Sequence, residues 1–172
     1  MPDLPASDGE RLFRPGNPML IIVSRINHDG FPKVLRVVSE VQEAREAPVP
    51  VGVIFYQYDA QDSARLVQTR KYVETLGLEC PWAVVGRKPY VALTQILMER
   101  DGAVKKALAK ADPKAADAEE NISISFFNYF PISIYFDGAG APLYVVEGVP
   151  ATWQLVDATE KFAAAVEWTV EE

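Results

Sequence analysis

Met19-Leu20-Ile21-Ile22-Val23, an unbroken apolar and largely β-branched run, leads into the turn chemistry of Asn27-His28-Asp29-Gly30-Phe31-Pro32. From Lys33 onward, Val34, Leu35, Val37, Val38 and Val41 recur at helical spacing until Pro48 closes the segment. The first run has the character of a strand buried on both faces, as in a sheet covered by helices. Pro32 suits a first-turn position, where its missing N–H costs nothing. Val51-Gly52-Val53-Ile54-Phe55-Tyr56 is a second buried strand. Strand, helix, strand in that order implies a right-handed parallel crossover.

Working outward, residues 59–63 offer Asp59, Asp62 and Ser63 as caps for a helix with Leu66, Val67, Tyr72, Val73 and Leu76 on its inner face and Gly77 as its stop. Trp82-Ala83-Val84-Val85 reads as a third short strand. Residues 90–110 read as helical through Leu93, Ile96, Leu97 and Leu108, with Asp101-Gly102 as a candidate break. Residues 111–121 are small and charged and read as an exposed mobile loop. Ile132-Ser133-Ile134-Tyr135-Phe136 and Leu143-Tyr144-Val145-Val146 flank a glycine-rich turn, the pattern of an antiparallel hairpin. A closing helix from residue 152 or 157 to 169 puts Phe162, Val166 and Val170 inward. Residues 1–18, rich in proline and glycine, read as an irregular N-terminal arm, and 19–172 as a single domain.

The fold class is therefore α/β, a central mixed sheet of about four or five strands flanked by helices, parallel on one side and antiparallel on the other. Composition agrees with a packed core: 172 residues, 49% of them hydrophobic and 24% charged, form one ordinary globular unit rather than a disordered chain. Twenty-four Asp and Glu against 17 Lys and Arg give a formal charge of -7, which repels phosphate backbones and makes nucleic acid a poor partner. No apolar run approaches the length that spans a bilayer. A single cysteine, Cys80, cannot form an internal disulfide, and a single histidine, His28, cannot build a metal site alone. No cofactor is implied. Without a signal-like opening, the expected location is cytoplasmic, or periplasmic or secreted if a signal precedes residue 1.

This order of elements resembles the thioredoxin-like superfamily, in the branch of thiol-disulfide interchange proteins and peroxiredoxins. The residues that carry the resemblance are the strand at Met19, the helix of Val34, Val37, Val38 and Val41, the segment Tyr129-Phe130-Pro131-Ile132-Ser133-Ile134-Tyr135-Phe136-Asp137, and the hairpin ending at Gly148-Val149-Pro150. The resemblance implies that Pro131 is the cis proline that opens the antiparallel strand and faces the active site. It also lays His28-Asp29-Gly30-Phe31 over the Cys-x-x-Cys motif, with His28 in place of the attacking cysteine and Phe31 in place of the resolving one. Neither imidazole nor benzyl can form a mixed disulfide, so the dithiol chemistry of the family is absent.

The expected function is a redox-inactive domain that binds a protein, peptide or small ligand in a groove made by His28, Asp29, Gly30, Phe31, Phe130 and Pro131. Core packing is the plainer reading for the rings Phe126, Phe127, Tyr129 and Phe130, and a cap that completes the helix N-terminus is the plainer reading for Asp29. His28 reads as a loop or capping histidine with Asp29 as its local partner. The rival is a one-cysteine oxidoreductase or peroxidase using Cys80 with an external thiol, which requires an exposed Cys80 of lowered pKa beside His28, Arg25 or Arg87. The plainer reading of Cys80 is an inert small hydrophobe. A third reading is an oligomerisation module; the oligomeric state is not legible here. The Asn121-Ile122-Ser123 triplet is too common by chance to carry weight.

Overall fold

The computed structural model describes residues 12–13, 15–57, 62–111 and 130–168. The described residues form five strands and four helices, in the order β1 (Met19–Ser24), α1 (Phe31–Glu43), β2 (Val51–Tyr56), α2 (Ser63–Leu76), β3 (Trp82–Val85), α3 (Arg87–Ala111), β4 (Ile132–Phe136), β5 (Pro142–Glu147) and α4 (Thr152–Ala165). The sheet order is β3-β2-β1-β4-β5. β1 pairs parallel with β2 and β2 with β3, whereas β4 runs antiparallel to both β1 and β5. The mixed sheet read from the sequence is thus present, with five strands.

Strand alternation divides the core in two. Met19, Ile21 and Val23 point with Ile132, Ile134 and Phe136 to the face covered by Tyr90, Leu93 and Leu97 of α3. Leu20, Ile22, Val53 and Phe55 point to the other face, against Phe31, Val34, Val38 and Val41 of α1, Val73 of α2, and Leu155 and Phe162 of α4. All six residues of β1 are buried, as a strand covered on both faces requires.

Several local readings need correction. Arg87, not Tyr90, begins α3, and the helix runs through Asp101-Gly102 without a break. It also reaches Ala111, the first residue of the expected loop; residues 112–121 lie outside the described residues, as do Asp59, Phe126, Phe127, Tyr129, the sequon and Val170. On α2, Leu66 and Val67 face solvent, while Thr69 and Val73 are buried. Asp62 caps α2 by accepting the Ala64 N–H at 2.9 Å, and Gly77 closes it at φ +61°. Leu12 and Phe13, in the expected arm, pack on the α3 side of the sheet, and the Gly16 N–H donates to the Gly138 carbonyl in the hairpin turn at 2.7 Å.

The N-terminus of α4 is incompletely capped. Gln154 accepts the Ala151 N–H at 2.9 Å, half of a capping box, but the methyl of Ala151 can return no hydrogen bond. Ala151 already has the extended conformation of an N-cap, φ -67° and ψ 149°. Ala151→Ser should therefore stabilise the protein by about 1 kcal/mol and raise its Tm by about 2–4 °C in a calorimetric scan. An unchanged Tm would mean that solvent serves those amides equally well.

Candidate functional site

β1 delivers the chain to a tight turn at the N-terminus of α1. Asn27 takes the left-handed conformation, φ 58°, which its short polar side chain tolerates. The His28 carbonyl then accepts the Phe31 N–H at 2.9 Å, and His28 Nδ1 accepts the Gly30 N–H at 3.1 Å. An accepting Nδ1 leaves Nε2 as the protonated nitrogen of the neutral ring. The partner of His28 is thus the Gly30 amide rather than Asp29. Nor does Asp29 cap α1: the N-cap is Gly30, with no side-chain hydrogen bond, and the exposed Asp29 carboxylate instead adds to burial in pushing the Tyr72 phenol upward.

Three separate stretches meet at Gly30. A Cβ built there would lie 3.0 Å from Pro131 Cδ, 3.0 Å from Val149 Cγ2 and 3.2 Å from His28 Cε1, so a side chain at Gly30 would push back the turn, the Pro131 loop or the β5–α4 connection by a few tenths of an ångström. The Phe130–Pro131 peptide bond is cis. The Pro131 carbonyl accepts the Gly148 N–H at 2.8 Å, which fastens the Val149 loop to the start of β4.

Of the six residues expected to line a groove, Gly30, Phe31, Phe130 and Pro131 are buried. The accessible groups are His28 and Asp29, joined by Val149, which is 47% exposed. Phe31 packs edge-on against Phe55 at 5.2 Å and belongs wholly to the core. Phe130 stacks nearly parallel to Tyr56 and lies near Tyr90, with the Arg25 guanidinium 4.9 Å from its ring centre. Such a cation over aromatic faces contributes about 0.5–2 kcal/mol. Burial pushes the Tyr90 phenol up to about 12, even though nearby Arg25 opposes the shift.

Cys80 lies elsewhere. It precedes β3 at the end where the parallel strands begin, and it lines a cavity with Leu35, Val38, Leu76 and Leu78. The turn at His28 lies past the other end of β1, roughly 13 Å or more away at about 3.3 Å per strand residue. Arg25 and Arg87 likewise follow the far ends of their strands. Burial pushes the half-buried Cys80 thiol up to about 11. The conditions that a catalytic Cys80 would need are not met among the described residues.

Val149, beside Gly30, and Arg25 and Gln57, beyond the ends of their strands, are positions that the sequence reading left out of its groove. Arg25 and Gln57 immediately follow β1 and β2, and the rule that open α/β sheets bind ligands beyond the carboxyl ends of their parallel strands would have found both. Among the described residues, no helix is long and apolar enough to cross a membrane.

No protein-family model and no curated protein sequence matches the chain. Solved structures do. The chain is similar to StoA from Bacillus subtilis, with a TM-score of 0.51 and 12% identity over 91% of this chain and 94% of that one. It is similar to the thioredoxin domain of the thiol-disulfide oxidoreductase BVU-2223 from Bacteroides vulgatus, with a TM-score of 0.52 and 14% identity over 94% and 91%. It is also similar to the pneumococcal exposed lipoprotein thioredoxin Etrx1 of Streptococcus pneumoniae, with a TM-score of 0.52 and 12% identity over 92% and 97%. At such identity the likeness carries the architecture and not the activity.

Proposed function

We propose that this chain, whose fold is thioredoxin-like, is a redox-inactive binding module that holds an extended segment of a protein or peptide at the junction of the His28 turn, Pro131 and Val149. The observation that carries this reading is the convergence of those three stretches on Gly30, while the chain has one cysteine, and that one lies at the opposite end of the sheet. Dithiol cycling needs two thiols in one site, and His28 and Phe31 supply none. What remains at the junction is a shaped surface: buried apolar residues, a half-exposed imidazole, an exposed carboxylate and the exposed Val149 side chain. A surface that mixes apolar and polar groups in this way suits peptide recognition.

The test is a screen of extended ten-residue peptides, followed by titration of the best binder into ¹⁵N-labelled protein. The reading expects shifts concentrated at the amides of Gly30, Phe31, Ile132 and Val149, and an affinity at least tenfold weaker in Gly30→Val, whose added methyls must displace Pro131 or Val149. Shifts centred elsewhere, or no binder in the library, would refute it.

A further inference from the structure

The carboxyl ends of β1 and β2 open into a cleft of about 590 Å³ lined by Arg25, Ile26, Tyr56, Gln57, Arg65 and Gln68. That volume suits a small ligand. Its floor carries an unmet chemical demand. Gln57 is 5% exposed, and among the described residues its Oε1 has no hydrogen-bond partner. Its Nε2 donates to Thr69 Oγ1, whose own hydroxyl donates to the Arg65 carbonyl at 2.9 Å. The buried acceptor therefore calls for an N–H or O–H group from outside the fold, because leaving it unmet costs on the order of a hydrogen bond.

The walls supply the opposite chemistry. Among the described residues Arg25 makes no ion pair, and its guanidinium is held over Phe130 and Tyr56. Arg65 contributes a second guanidinium, whose Nε lies 3.6 Å from the exposed Asp62 carboxylate. Two guanidinium groups in one cleft of a chain with net charge -7 form a local positive site against an acidic background. Planar guanidinium groups match carboxylates in particular.

We propose that this cleft binds a small carboxylate that carries an N–H or O–H donor close to the carboxylate, which pairs with Arg25 and Arg65 while the donor satisfies Gln57 Oε1. Two sources share this chemistry: a free acylated amino acid or hydroxy acid, and the C-terminal residue of a peptide. The site is distinct from the Gly30 junction, so its failure leaves the peptide reading standing.

The experiment titrates the full chain with N-acetylglycine, lactate, propionate, N-acetylglycinamide and inorganic phosphate, and follows the side-chain signals of Arg25, Gln57 and Arg65. N-acetylglycine is expected to bind with a Kd of about 1 mM. Propionate, which lacks the donor, should bind about tenfold more weakly, and N-acetylglycinamide, which lacks the charge, should not bind. Arg25→Gln should abolish binding of all three acids. Gln57→Leu should erase the preference for N-acetylglycine over propionate while retaining propionate, a readout that a general loss of structure would not give. A tripeptide with a free C-terminus that binds tenfold tighter than N-acetylglycine identifies a peptide end as the source, and equal affinity identifies a free acid. Equal binding of propionate and N-acetylglycine, tighter binding of phosphate, or no response of the three side chains at about 20 mM ligand would overturn the proposal.

Discussion

His28→Cys in a Cys80→Ser background is expected to give a thiol that alkylates about a hundredfold faster at pH 7 than Cys80 does in the unaltered chain. Cys80, with its thiol pushed up to about 11, presents about one thiolate in 10⁴ at that pH. At position 28 a thiolate would sit at the N-terminus of α1, within reach of the Gly30 N–H that His28 Nδ1 now takes. Thiols so placed have pKa values of about 3.5–7.5, so near pKa 7 about half would be ionised. The gain in thiolate is then about 5,000-fold. A thiolate of lower pKa is a weaker nucleophile, however, and a Brønsted slope of about 0.4–0.5 across four units removes somewhat less than two orders of magnitude. The net result is the stated factor. A rate no higher than that of Cys80 would mean that the turn lacks the helix-terminus environment assigned to it.

Phe31→Ala is expected to destabilise the protein by about 3–5 kcal/mol, measured by urea unfolding. Phe31 has no solvent exposure and packs against Phe55 and Tyr72 at 5.2 and 6.3 Å. A cavity there would open at the first turn of α1, between that helix and the sheet. A loss below about 1 kcal/mol would show that the ring is not the core element described. The two ends of the turn thus differ in kind: His28 is only partly buried, whereas Phe31 is part of the hydrophobic interior.

The strands and α1 were legible because burial on two faces writes unbroken apolar runs, and because Pro32 and Pro48 bracket the helix. The inner face of α2 was not. Leu66 and Val67 are adjacent in sequence and compete with Tyr72, Val73 and Leu76 for the core, and the winning face includes Thr69, a polar residue whose hydroxyl is satisfied by Arg65 and Gln57. Apolar periodicity cannot register such a residue. Asp101-Gly102 misled for a different reason: a glycine inside a helix costs only about 1 kcal/mol, which a helix of 25 residues absorbs. At the site, the facing of Pro131 and the His28 turn follows from the superfamily resemblance. The contribution of Val149 and the pairing of Arg25 with Phe130 depend on loops far apart in sequence, and only the folded sheet brings them together.

The claim that this protein binds without thiol catalysis is tested most directly by following Cys80 alkylation and thiol-dependent peroxide consumption from pH 5 to 9, in the unaltered chain and in Cys80→Ser. Burial raises the thiol, so its reactivity should be low throughout and should still be rising at pH 9, short of a midpoint near 11, with no peroxide turnover in either protein. A midpoint well below the free-cysteine value of about 8.5, together with turnover lost in Cys80→Ser, would contradict the account and make the chain a one-cysteine enzyme.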